Sequence, residues 1–156
     1  MDELAGIYAR SMPELESTVQ LGVASGQLIQ ASFPETADAN AEAEHELLDR
    51  IEAYATGETE DDFRDVEIAL TIPTDQRAVL QTLRTVPYGE STTIDSLVRR
   101  TPGLDPDAED ARETVRAALA ENPIPIVLPD HRVDGGHGAT PGPVRRRLRA
   151  IEGIQG

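Results

Sequence analysis

The stretch NPIPIVLPDHRV, Asn122 to Val133, restricts the possible folds more than any other part of this chain. Its three prolines each lack a backbone donor, and Ile124, Ile126, Val127, Leu128 and Val133 call for burial. The apolar run predicts a buried strand. Asp130, His131 and Arg132 then fall in the turn that ends it, a carboxyl, an imidazole and a guanidinium in succession as in a reactive turn.

The rest of the chain divides around TIPTDQ. With 156 residues it can bury one ordinary core or two small ones packed together, and we expect two subdomains, residues 1–72 and 73–156. In the first, TVQLGVA and GQLIQASF flank Ser25-Gly26 as in a tight hairpin. Leu47, Leu48, Ile51 and Tyr54 follow at helical spacing, with Gly57 as the stop, and DVEIALTI reads as a short strand. His45, on a helix face rich in Glu, reads as a solvated side chain. In the second, Thr74 can cap DQRAVLQTLRTV, VPYGE makes a turn, and STTIDSLVRR and DPDAEDARETVRAALAEN form a helix pair. A Gly-rich loop containing His137, expected to face solvent, leads into a last helix, VRRRLRAIEGI. The fold class is therefore α+β, a small α/β unit followed by a mainly helical one. No apolar run approaches the roughly 20 residues of a membrane span, and no secretory leader is recognisable, so a soluble cytoplasmic protein is expected.

Composition excludes several chemistries. There is no cysteine, hence no disulfide, thiolate metal site or thiol nucleophile. Acids number 29 against 14 basic residues, every one of them Arg, for a net charge of -15. Such acidity ordinarily repels nucleic acid. Acid gain with complete loss of Lys also resembles the proteins of extreme halophiles, where the Debye length is about 3 Å or less and net charge no longer forbids a DNA partner. No spacing of His or acids suggests a metal, and no cofactor is expected.

From about Leu47 to Gly153 the chain resembles the O6-alkylguanine-DNA alkyltransferases, most closely in PTDQRAVLQTLRTVPYGE, ENPIPIVLPDHRV and LRAIEG. The resemblance implies a ribonuclease-H-like N-terminal subdomain and a helical, winged-helix-like domain with a DNA-binding helix-turn-helix. It also implies minor-groove entry, extrusion of a damaged guanine, and alkyl transfer to a cysteine in a Pro-Cys-His-Arg motif. Here the motif reads Pro129-Asp130-His131-Arg132, and a hard, well-solvated carboxylate is a poor substitute for a thiolate in that displacement. His131, Glu152 and Asn122 match the family's residues that deprotonate the acceptor, orient the histidine and steady the turn. Lacking a nucleophile, His131 and Glu152 read rather as a structural pair that ties the last helix to the turn. Asp130 is open to two states: ionised beside His131 or Arg132, or protonated in a dry pocket.

The same comparison weakens the DNA face. Glu113 stands where the family's intercalating arginine would be, with Arg112 beside it about 100° around the helix. Ile94 replaces a tyrosine, and Arg116 and Ala117 replace two small residues. Arg99, Arg100, Arg112, Arg116 and Arg132 remain as candidate DNA contacts, and Arg145, Arg146, Arg147 and Arg149 crowd the last helix; all are equally ordinary partners for surrounding acids. Three readings follow: a monomeric alkyltransferase-like protein that binds double-stranded DNA carrying O6-alkylguanine without repairing it and flags it for nucleotide excision repair; a repurposed protein- or ligand-binding module; and, more distantly, an enzyme using Asp130 as a recyclable nucleophile.

Overall fold

In the computed structural model, which describes residues 5–135 and 137–154, three antiparallel strands form the N-terminal layer in the order β1 (Ala5–Met12), β2 (Ser17–Ala24), β3 (Gln27–Ser32). The β2–β3 hairpin pairs Ala24 with Gln27 across Ser25 and Gly26, whose φ angles of 53° and 77° are both left-handed, as a two-residue turn matched to strand twist requires. Val19 and Leu21 alternate into the core. Helix α1 (Glu46–Ala55) buries Leu47, Leu48, Ile51 and Tyr54, the predicted stripe. Arg10 fastens β1 to it by ion pairs with Asp49 and Glu52, both at 2.9 Å. His45 is not merely solvated: its Nδ1 accepts from the Leu47 amide at 3.0 Å and caps the helix, with its ring 4.5 Å from that of Tyr8.

The strand expected in DVEIALTI does not form. Its one backbone bridge to β3 among the described residues is Leu28–Ile68, because the same edge of β3 also receives the Pro123 carbonyl at Ala31, and two segments divide a row of donors too short for both. The strand expected in NPIPIVLPDHRV is likewise replaced by a buried series of turns. Asn122 does there what a neighbouring strand would otherwise do: its side chain accepts from the Ile124 amide at 3.0 Å and donates to the Leu128 carbonyl at 2.8 Å. Ile126, at φ 77°, turns the chain back, and a single 3-10 turn carries Asp130–Arg132.

Helices α2 (Thr74–Leu83), α3 (Ile94–Arg100) and α4 (Ala111–Ala120) pack against one another, followed by α5 (Gly142–Glu152). Thr74 is the first helical residue of α2, with Pro73 at the cap position and no side-chain cap; Thr93 caps α3 through the Ser96 amide. Two short parallel strands, β4 (Thr92–Thr93) and β5 (Val133–Asp134), bind the start of α3 to the end of the 3-10 turn. One apolar cluster runs from Met12 and Leu48 through Leu80, Leu97 and Leu119 to Leu148. Among the described residues no helix is long and apolar enough to cross a membrane.

Candidate functional site

The 3-10 turn is buried throughout: Asp130, His131 and Arg132 are at most 2% exposed. Helix α5 supplies its anchor. Gly153, at φ 78°, ends the helix by a left-handed cap in which its amide and that of Ile154 return to the Ala150 and Arg149 carbonyls, and this stop leaves Glu152 facing inward from the last turn. Five donors meet its carboxylate. Arg132 gives Nε to Oε1 at 2.8 Å and Nη2 to Oε2 at 3.0 Å, and the Gly89 amide reaches Oε1 at 3.0 Å. His131 Nε2 lies 2.8 Å from Oε2, and the Tyr54 hydroxyl donates to the same oxygen. Burial alone would raise the Glu152 carboxyl, but the hydrogen bonds from His131 and Arg132 hold it down to about 2. Nε2 of His131 is taken up by the ionised Glu152, and its buried Nδ1 has no hydrogen-bond partner among the described residues.

Asp130 has a different environment. The two partners considered for it, His131 and Arg132, are both committed to Glu152. Instead Asn122 Nδ2 donates to Oδ2 at 2.9 Å, and Thr140 lies beside the carboxyl. Burial pushes the Asp130 carboxyl above its ordinary value, opposed by Thr140 and Asn122. The following loop seats directly on it: a Cβ built on Gly138 would fall 2.3 Å from Asp130 Cγ, so only glycine fits without displacement.

The predicted site residues thus separate into two groups. Asn122, Asp130, His131 and Glu152 come together. Arg132, expected among the DNA-facing arginines, is buried in the Glu152 clasp and spends Nη1 on the Val86 carbonyl at 2.7 Å. Arg99, Arg100, Arg112 and Arg116 lie exposed on α3 and α4. Arg112 is paired with Asp95 at the start of α3, and Arg100 donates to Thr85. Glu113 is exposed beside Arg112, Ile94 is packed inward, and His137 is exposed. Sequence reasoning missed Tyr54, Gly89, Gly138 and Thr140. It also missed Arg149, which is buried and donates to the His131 carbonyl at 2.8 Å. Gly89, at φ 80° in the PYG turn, was the one with a local signal.

The three-stranded sheet, the packed helices and the buried Asp130–Arg132 turn define an α+β protein. Residues 74–153 match the model of the 6-O-methylguanine DNA methyltransferase DNA-binding domain, about half of the chain, and the chain belongs to that family. A methylated-DNA–protein-cysteine methyltransferase of Mycolicibacterium paratuberculosis is 34% identical over 95 residues, covering 61% of this chain and 53% of the relative. One from Methanopyrus kandleri is 32% identical over 113 residues, covering 70% and 80%. The chain therefore spans about half the length of the first relatives it matches. Among solved structures, the Mycobacterium tuberculosis protein in complex with DNA superposes with a TM-score of 0.72 at 25% identity, over 94% of this chain and 92% of that one.

Proposed function

We propose that this chain is an alkyltransferase-like DNA-repair protein that holds alkylated double-stranded DNA without accepting the alkyl group. The observation that carries the reading is Asp130, a buried carboxyl at the second position of Pro129-Asp130-His131-Arg132, in a sequence with no cysteine. The scaffold that would serve an acceptor is intact around it: Asn122 holds the turn, and Glu152 fixes His131 through Nε2, with Nδ1 engaged by no partner among the described residues. In this reading α3 and α4 act as the helix-turn-helix, residues 73–156 form the DNA-binding unit behind an N-terminal unit of residues 1–72, and Arg99, Arg100, Arg112 and Arg116 make phosphate contacts. The protein works as a cytoplasmic monomer at high salt, its surface acids being an adaptation to that medium.

A repurposed module that no longer takes DNA is the competing reading. Gly138 favours it by packing directly against the Asp130 side chain, which is buried. One experiment separates the two. Duplexes with and without a single O6-methylguanine are titrated from low salt to molar KCl, and the incubated protein is then weighed by mass spectrometry. The proposal expects tighter binding of the lesion duplex and an unchanged mass. A stable gain of one methyl group refutes non-transfer, and indifference to both duplexes leaves the repurposed module in its place.

A further inference from the structure

Helix α5 presents arginines on a face that the Glu152 clasp does not use. Arg145, Arg146 and Arg149, together with Ala150 and Ile154, line a depression of about 240 Å3. Arg149 is engaged with the His131 carbonyl and Asp134. Arg145 gives one donor to the Val133 carbonyl at 2.8 Å, while its Nε is buried without a partner. Neither Arg145 nor Arg146 forms an ion pair among the described residues, whereas Arg10, Arg50, Arg112 and Arg147 each face a carboxylate. In a chain with 29 acids for 14 cations, two adjacent arginines without an ion pair, set beside the apolar Ala150 and Ile154, form a local basic patch with an apolar margin. Burial and the neighbouring Arg149 push the Arg145 guanidinium down, opposed by the carboxylates of Asp130 and Asp134.

We propose that this depression is a docking site for an acidic peptide segment of a partner protein, one carboxylate lying between Arg145 and Arg146 and an adjacent aliphatic side chain resting on Ala150 and Ile154. A DNA backbone would supply the charge but nothing to cover Ala150 and Ile154. The cavity is also smaller than the roughly 300–1,000 Å3 of small-molecule sites, a size suited to one side chain. The site lies on α5 and uses none of the arginines of α3 and α4, so it can be tested independently of the DNA reading.

The test is calorimetric titration of the full chain with a ten-residue peptide of glutamates bearing two leucines. Its counterpart has every glutamate replaced by glutamine, and a short unmodified duplex is the third ligand. The glutamate peptide should bind and its glutamine counterpart should not. KCl should weaken the binding. Arg146→Glu and Ala150→Glu, both at exposed positions, should each lower affinity about tenfold or more, the cost of placing like charges together. Failure of the glutamate peptide to bind, equal binding of the two peptides, or no effect of either substitution overturns the proposal. So does a duplex that binds and loses affinity in parallel in the same two variants, which would assign the surface to DNA.

Discussion

Glu152 and Asp130 serve the same buried turn, yet Glu152 gathers donors from Tyr54, Gly89, His131 and Arg132 while Asp130 has Asn122 and Thr140. The carboxyl of the first is held down to about 2, and that of the second is pushed up. Burial acts on both in the same direction, so the difference is the supply of donors. It teaches which end of the turn the fold depends on. The Glu152 clasp carries a charge that the interior has been built to accommodate, whereas Asp130 is a polar group that the interior tolerates at a cost.

Breaking the clasp should have the largest effect. Arg132→Ala leaves Glu152 as a buried anion with its strongest donors removed, and we expect a loss of about 3–5 kcal/mol in denaturant unfolding at high salt. Next comes the pH dependence. Glu152 ionises at about 2 in the fold against an ordinary 4.5, so its contribution is complete above pH 4.5 and is lost as pH falls towards 2. That difference corresponds to roughly 3 kcal/mol. Glu152→Gln should flatten the acid limb of stability in this window; an unchanged slope would mean that other carboxylates set it.

The Asp130 end is tested by smaller effects. Gly138→Ala forces a methyl group into the Asp130 carboxyl and should cost about 2 kcal/mol. Combining it with Asp130→Ala should return much of that loss, and a double mutant with simply additive losses would show that the two residues do not meet. Asp130→Asn should act in the opposite direction to the clasp variants. Burial raises the Asp130 carboxyl above its ordinary 3.8, so its ionisation penalises the fold increasingly as pH rises past that value. Removing the charge should stabilise the protein slightly at pH 7, with the gain fading below pH 4. Destabilisation at pH 7 would place Asp130 among the groups that hold the turn together.

Elements governed by local chemistry were legible in the sequence. The Ser25-Gly26 turn, the apolar stripe of α1 and the stop at Gly57 each follow from a few neighbouring residues, and the structure has them. Elements governed by distant competition were not. NPIPIVLP and DVEIALTI have the apolar content of strands, but whether either pairs depends on the single free edge of β3, which neither segment contains. The site divides in the same way. Asn122, Asp130, His131 and Glu152 were visible as motif residues. Arg132 was misplaced because a guanidinium looks alike in sequence whether it faces phosphate or a buried carboxylate. Tyr54 gave no signal at all, since its apolar ring satisfied the helix pattern and its hydroxyl partner lies 98 residues away.

That separation also bears on how the chain acquires its structure. Closing the clasp joins positions 54, 89, 131–132 and 152, contacts of long range that form late and slowly compared with the hairpin and helices they tie together. On a growing chain emerging from the ribosome, β1 to α1 can collapse while Tyr54 still lacks its acceptor, and the Arg132 guanidinium has no carboxylate to enter the interior with until α5 has been made. Burial of the Asp130–Arg132 turn is thus a closing event of folding. Its reversal, the release of α5 from the turn, would expose the whole turn in one step.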